Sequence, residues 1–118
     1  MGSSTTTTSG NHAASVNDAK DLASGTWHVA NGNGSDFVKR WTEFLEWTRD
    51  SAPGFLRGIL MQDEADANHY VSVAFWESKA TRAAWQSSAG FGEKLAACRA
   101  LCSDFAGASY ELASAVVP

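Results

Sequence analysis

The amino-acid sequence predicts a single α+β domain whose elements run β-α-β-β-α-α-β. Three observations predict it. A helical stripe of apolar residues occupies 36–50. Two β-rich runs, Phe55–Met61 and His69–Trp76, flank a polar, acidic segment. Two more helical stretches then lead to a β-rich C-terminus. At 118 residues and 12.6 kDa the chain has the length of one compact domain, not two.

Each element has a local cause. Residues 1–24 are rich in Ser and Thr, including a Thr5–Thr8 run, and Val16 and Leu22 are their large aliphatics apart from Met1. So little apolar surface does not offset the entropy of ordering, so a flexible tail is expected there, with His12 in it, and the domain over 25–118. Thr26–Ala30 reads as a short strand closed by the turn-forming Asn31-Gly32-Asn33-Gly34. Ser35 is placed to cap the next helix, and Asp36 suits its positive end. From Asp36 to Asp50, Phe37, Trp41, Phe44, Leu45 and Thr48 share one helical face, and Lys39, Glu43, Glu46 and Asp50 the other. Pro53-Gly54 ends that helix.

Phe55–Met61 and His69–Trp76 form a hairpin about the acidic loop. Ser78 then caps a short helix, Lys79–Ser88, that carries Trp85. After the break at Gly90 a third helix is predicted, with Phe91, Leu95, Cys98, Leu101, Cys102 and Phe105 on one stripe. Gly107 stops it, and Tyr110–Val117 is the expected last strand. The order is a split βαβ of the ferredoxin-like kind. Helices on one face leave the other face of the sheet bare, so a second copy is expected to cover it in a homodimer.

Composition excludes several functions. Hydrophobic residues make up 44%, charged residues 19%, and the net charge is −4. No apolar run approaches the roughly 18–20 residues of a membrane span. The first residues have neither the basic nor the apolar stretch of a secretory signal. Scattered Lys and Arg in an acidic chain make no footprint for nucleic acid. Two cysteines cannot build a disulfide framework. A cytoplasmic domain without nucleic-acid or membrane partners is expected. The aromatics are the uneven part: five Trp, six Phe and two Tyr all lie between Trp27 and Tyr110. They fill a dense core or line a pocket for a flat ligand.

Few residues suggest chemistry by themselves. Cys98 and Cys102 share a helical face without a second ligand pair, which reads as core before metal or redox site. His28 and His69 lie on strands, with no Ser-His-Asp or Cys-His pairing legible, and read as structural or interface histidines. Gly32-Asn33-Gly34 lacks the Lys-Ser/Thr of a phosphate loop. Trp76 is more specific. By period two it shares a strand face with Tyr70, Ser72 and Ala74, and it is either a core plug or the wall of a pocket for a planar, partly polar ligand.

Residues 37–58, FVKRWTEFLEWTRDSAPGFLRG, and 73–85, VAFWESKATRAAW, give the chain a resemblance to a known family. With the element order, the chain resembles the antibiotic biosynthesis monooxygenases over about residues 25–117. The resemblance implies a ferredoxin-like protomer whose sheet pairs with another into a dimeric α+β barrel, with a ligand cavity between each sheet and its own helices. It also implies oxidation of a small aromatic, polyketide-like metabolite without metal, flavin or other cofactor. Trp76 matches the strand-end Trp of those oxygenases; Ser72 stands where they have Asn, and Arg82 where they have Tyr. Trp85 matches the helix Trp of the haem-degrading branch. Gly25 replaces that branch's strand Asn, and Leu95 its axial His, so haem degradation is set aside.

On this reading Trp76, Arg82 and Ser72 are the catalytic residues, and Trp27, Tyr70 and Trp85 bind the substrate. Trp27, Trp76 and Trp85 sandwich the ring system. Tyr70, Ser72 and Arg82 hydrogen-bond its oxygens, with Arg82 favouring the anion. No residue stands out as the base. The alternatives are a non-catalytic dimeric module that binds a small molecule, and an isomerase or cyclase on the same fold.

Overall fold

The computed structural model describes residues 15–118; the Thr5–Thr8 run and His12 lie outside the described residues. A 3-10 turn, Val16–Asp18, capped by Ser15, leads into strand β1, Asp21–Val29. Then follow helix α1, Gly34–Ser51, strands β2, Phe55–Gln62, and β3, His69–Trp76, helices α2, Lys79–Gln86, and α3, Phe91–Arg99, and strand β4, Cys102–Glu111. The element order is the predicted one. The four strands form one antiparallel sheet in the order β2-β3-β1-β4, the ferredoxin-like arrangement.

The α1 stripe forms as its spacing predicts: Phe37, Trp41, Phe44, Leu45 and Thr48 are its buried residues. They pack on the alternating inner face of β3, where Tyr70, Ser72, Ala74 and Trp76 are all buried. Burying each large aromatic contributes about 1.5–3 kcal/mol. Thr48 Oγ1 donates to the Phe44 carbonyl at 2.9 Å and accepts from Trp85 Nε1 at 2.9 Å, which ties α1 to α2. The α1–β2 turn needs Gly54, whose φ of 86° lies in the left-handed region. Cys98 is fully enclosed in the core, and burial pushes its thiol up to about 12.

Four boundaries differ from the sequence reading. First, β1 begins at Asp21, not Thr26, so Asp21–Ser24, assigned by composition to the tail, belong to the sheet. Asp21 is paired on both sides, with Trp76 on β3 and Glu111 on β4. A ladder to distant strands leaves no trace in local composition. Second, the third helix stops at Arg99, and Cys102–Phe105 open β4 rather than extend a helical stripe. Cys102 pairs with Val29, a bulge follows, and Phe105 pairs with Trp27. The last strand therefore runs over Cys102–Glu111, and residues 112–117 of the expected Tyr110–Val117 strand have no regular structure. Third, α1 starts at Gly34 behind Asn33; Ser35 does not cap it. Fourth, α2 ends at Gln86 instead of Ser88, because the hydroxyls of Ser87 and Ser88 turn back to the carbonyls of Ala83 and Trp85.

Among the described residues no helix lies on the outer face of the sheet. Leu22, Ile59, Met61, Val71, Val73, Phe75 and Tyr110 share it by register, and Met61 and Tyr110 are exposed. At one end of this face the His28 ring stacks on His69 with centroids 4.8 Å apart. His69 Nδ1 lies 2.9 Å from Asp63 Oδ2, and this hydrogen bond, with one from the Ala65 N–H, holds the Asp63 carboxyl below its ordinary range.

Candidate functional site

Between the sheet and its helices lies a cavity of about 410 Å3. Its floor exists because two glycines pair there: Gly25 on β1 stands opposite Gly107 on β4. The residues that follow or precede them fold across this gap. The Trp27 indole lies so close over Gly25 that a Cβ there would sit 2.7 Å from Nε1. The Phe105 ring lies over Gly107 in the same way, at 3.3 Å. Trp27 is thereby held between Phe37, with centroids 5.1 Å apart, and Phe105, at 4.2 Å, while its Nε1 donates to Ser72 Oγ at 3.0 Å.

The helices supply the walls. Trp41, Phe44 and Leu45 come from α1, Trp85 and Gln86 from α2, and Phe91 and Leu95 from α3. Trp85 is fixed by stacking on Phe44 at 5.7 Å, by an edge contact with Phe91 at 4.7 Å, and by its N–H bond to Thr48. The lining is therefore flat, aromatic and rigid. Among the described residues no side chain that lines it is an acid or a base.

Of the six residues the sequence singles out, the cavity brings together Trp27, Ser72 and Trp85. The other three stand outside its lining. Trp76 is wholly enclosed behind the wall, between Phe55 at 5.5 Å and Trp85 at 4.8 Å. Its indole N–H is buried without an acceptor among the described residues. Tyr70 sits further along β3, against Phe37 at 5.2 Å, and its hydroxyl accepts from Gln62 Nε2 at 3.2 Å. Arg82 is buried in an ion pair. Its Nε donates to Asp21 Oδ1 and its Nη2 to Asp21 Oδ2 at 3.4 Å, while Nη1 donates to Gln86 Oε1 at 2.9 Å. The positive charge that was expected to favour a bound anion thus already faces the Asp21 carboxylate.

Sequence reasoning missed Gln86, Phe105 and the Gly25–Gly107 pair. A signal existed for each. Gln86 lies four residues after Arg82 on one helical face, and a glycine inside a strand marks a close approach. Among the described residues no three His, Cys, Asp or Glu side chains come together as a metal site. Among them, too, no helix is long and apolar enough to cross a membrane.

The sequence model of the antibiotic biosynthesis monooxygenases matches residues 22–97, most of the domain. The chain belongs to this family. No curated protein matches it. Among solved structures, it is similar to SnoaB of Streptomyces nogalater, described as a cofactor-independent oxygenase. The identity is 19% with a TM-score of 0.71, over 83% of this chain and 98% of that one. It is also similar to a putative antibiotic biosynthesis monooxygenase of Deinococcus radiodurans, at 16% identity and a TM-score of 0.72, over 83% and 97% of the two chains. A conserved protein of Bacteroides thetaiotaomicron, described as a possible oxidoreductase, follows at 12% and 0.70, over 80% and 99%. At these identities the likeness is one of fold. The site in this chain combines a glycine floor, aromatic walls and, behind the exposed Gln86 on the lining, the buried Asp21–Arg82 ion pair.

Proposed function

We propose that the cavity binds a small planar aromatic metabolite and that the protein oxidises it with molecular oxygen, without metal or flavin, as a cytoplasmic homodimer. The observation that carries this reading is the 410 Å3 cavity walled by Trp27, Trp85 and Phe44, in a family named for such chemistry. In the reaction an activated ring CH2 loses two hydrogens and gains one oxygen atom. The second oxygen atom and both hydrogens leave as water. The electrons come from the substrate itself, so the protein must hold the ring flat, exclude water and bind its oxygens. Trp27 and Trp85 hold it, and Ser72 and Gln86 reach its polar edge. Trp76 supports the wall that Trp85 presents, and Arg82 acts on the site through Gln86. Tyr70 closes the core beyond Trp27 and Phe37.

Among the described residues no side chain on the lining is an acid or a base, and this supports a particular kind of substrate. It ionises by its own acidity, as a vinylogous or peri-hydroxylated ketone does, and the site does not supply a dedicated base. The same observation favours a second reading: a dimeric module that binds a flat molecule without turning it over.

Oxygen uptake with a panel of anthrones and naphthols, with and without chelator, separates the two. Saturable uptake that persists in chelator and falls at least tenfold in Ser72→Ala supports the oxygenase. Saturable quenching of Trp fluorescence without uptake supports the binding module. Neither response would overturn both.

A further inference from the structure

Thr48 is the one polar residue among the five that α1 buries, and the pattern of that stripe calls for an apolar side chain there. A valine would have the same shape, with no hydroxyl to remove from water. The Thr48 hydroxyl is wholly buried, and both of its functions are filled. Its hydrogen goes to the Phe44 carbonyl one turn back, at 2.9 Å. The oxygen is then left to accept, and it accepts from the Trp85 indole at 2.9 Å. The fold does not make this provision for every buried indole. The N–H of Trp76, whose ring lies 4.8 Å from that of Trp85, has no acceptor among the described residues. The acceptor on α1 serves Trp85, which lines the cavity, whereas Thr48 itself does not.

The bond closes a small loop. Phe44 lends its carbonyl to Thr48 and its ring to Trp85, 5.7 Å away and 25° from parallel. Phe91 meets the same indole edge-on at 4.7 Å. These ring contacts are apolar, and an indole turned over about its Cβ–Cγ bond would keep much of them with its N–H elsewhere. The hydrogen bond to Thr48 is directional and admits one of the two orientations. We infer that Thr48 is a positioning residue of the cavity: it holds Trp85 in one orientation before a ligand arrives and keeps the indole N–H out of the ligand's reach. Trp85 then offers a bound molecule carbon and π surface alone, and binding does not have to order that wall. The inference rests on the cavity binding a flat ligand, and it adds a residue that the ligand does not touch.

The test is a double-mutant cycle, read by calorimetric titration of 9-fluorenone, a flat neutral tricycle, into the full-length protein. Thr48→Val is expected to weaken binding about fivefold, and Thr48→Ser, which keeps the acceptor, to stay within about twofold of the wild type. In a Trp85→Phe background, which has no N–H to hold, Thr48→Val is expected to change affinity by less than about twofold. A purely structural role of Thr48 would act equally in both backgrounds. The Trp85 indole N–H, followed by NMR, is expected to exchange with solvent about tenfold faster or more in Thr48→Val than in the wild type. Should the orphaned N–H unfold Thr48→Val, adding Trp85→Phe is expected to restore the fold. Equal binding by wild type and Thr48→Val, an equal loss in both backgrounds, or a double variant that stays unfolded overturns the inference and leaves the flat-ligand reading standing. A wild-type protein that does not bind fluorenone overturns both.

Discussion

A Cβ on Gly25 would lie 2.7 Å from Trp27 Nε1 and 2.9 Å from Ser72 Oγ, so the smallest side chain there displaces the indole and the hydroxyl together. Gly25→Ala is therefore expected to cost about 1–3 kcal/mol in urea unfolding, by overpacking and by loss of the Trp27–Ser72 bond. A cost under about 0.5 kcal/mol would show that the floor is not built as described. Cys98 gives a pH dependence. Burial raises its folded value from 9.0 to about 12, so the unfolded chain releases this proton first as pH rises. The stability it contributes is complete below about 9 and is lost progressively towards 12. Unfolding midpoints are expected to fall between pH 8 and pH 11, with a shallower fall in Cys98→Ala; identical profiles would contradict the burial argument. These details were only partly legible in the sequence. Spacing placed Trp27 and Ser72 on inward-facing strand positions, but their pairing depends on a register between β1 and β3 that no local pattern encodes.

At the scale of elements, α2 is pinned at its start by the Ser78–Thr81 capping box and along its length by the Arg82–Asp21 ion pair. Removing one partner of that pair leaves a buried charge. Arg82→Met is expected to destabilise by about 3–5 kcal/mol, and Asp21→Leu added to it to recover most of the loss. Thermal unfolding checks both; a double variant no better than the single would mean that the pair is not what anchors α2. The contrast between α1 and β4 shows what sequence can reveal. The α1 stripe is continuous, amphipathic and needs no partner to be recognised. By contrast, β4 is an edge strand whose centre, Ala106-Gly107-Ala108-Ser109, lacks β-branched residues, and its first residues continue a helical spacing. Pairing with β1 overrides that spacing, and with it goes the misassignment of Phe105, which ends on the cavity wall instead of in a helical core stripe.

The molecule as a whole has two apolar surfaces on one sheet. One faces the helices and encloses the cavity; the other, with Val71, Val73, Phe75 and Met61, carries no helix among the described residues. The proposed homodimer buries it. Sedimentation at micromolar concentration is expected to give about twice the chain mass, and Val73→Glu, near the centre of that face, a monomer that remains folded. A wild-type monomer would leave the barrel without support. The central claim concerns the inner surface, and the indole N–H resonances of the tryptophans test it most directly. On titration with 9-fluorenone the Trp27 and Trp85 signals are expected to move saturably together, while that of Trp47, which lies outside the cavity lining, stays in place. Movement confined to Trp47, or no movement at all, would contradict a flat-ligand site between the sheet and its helices.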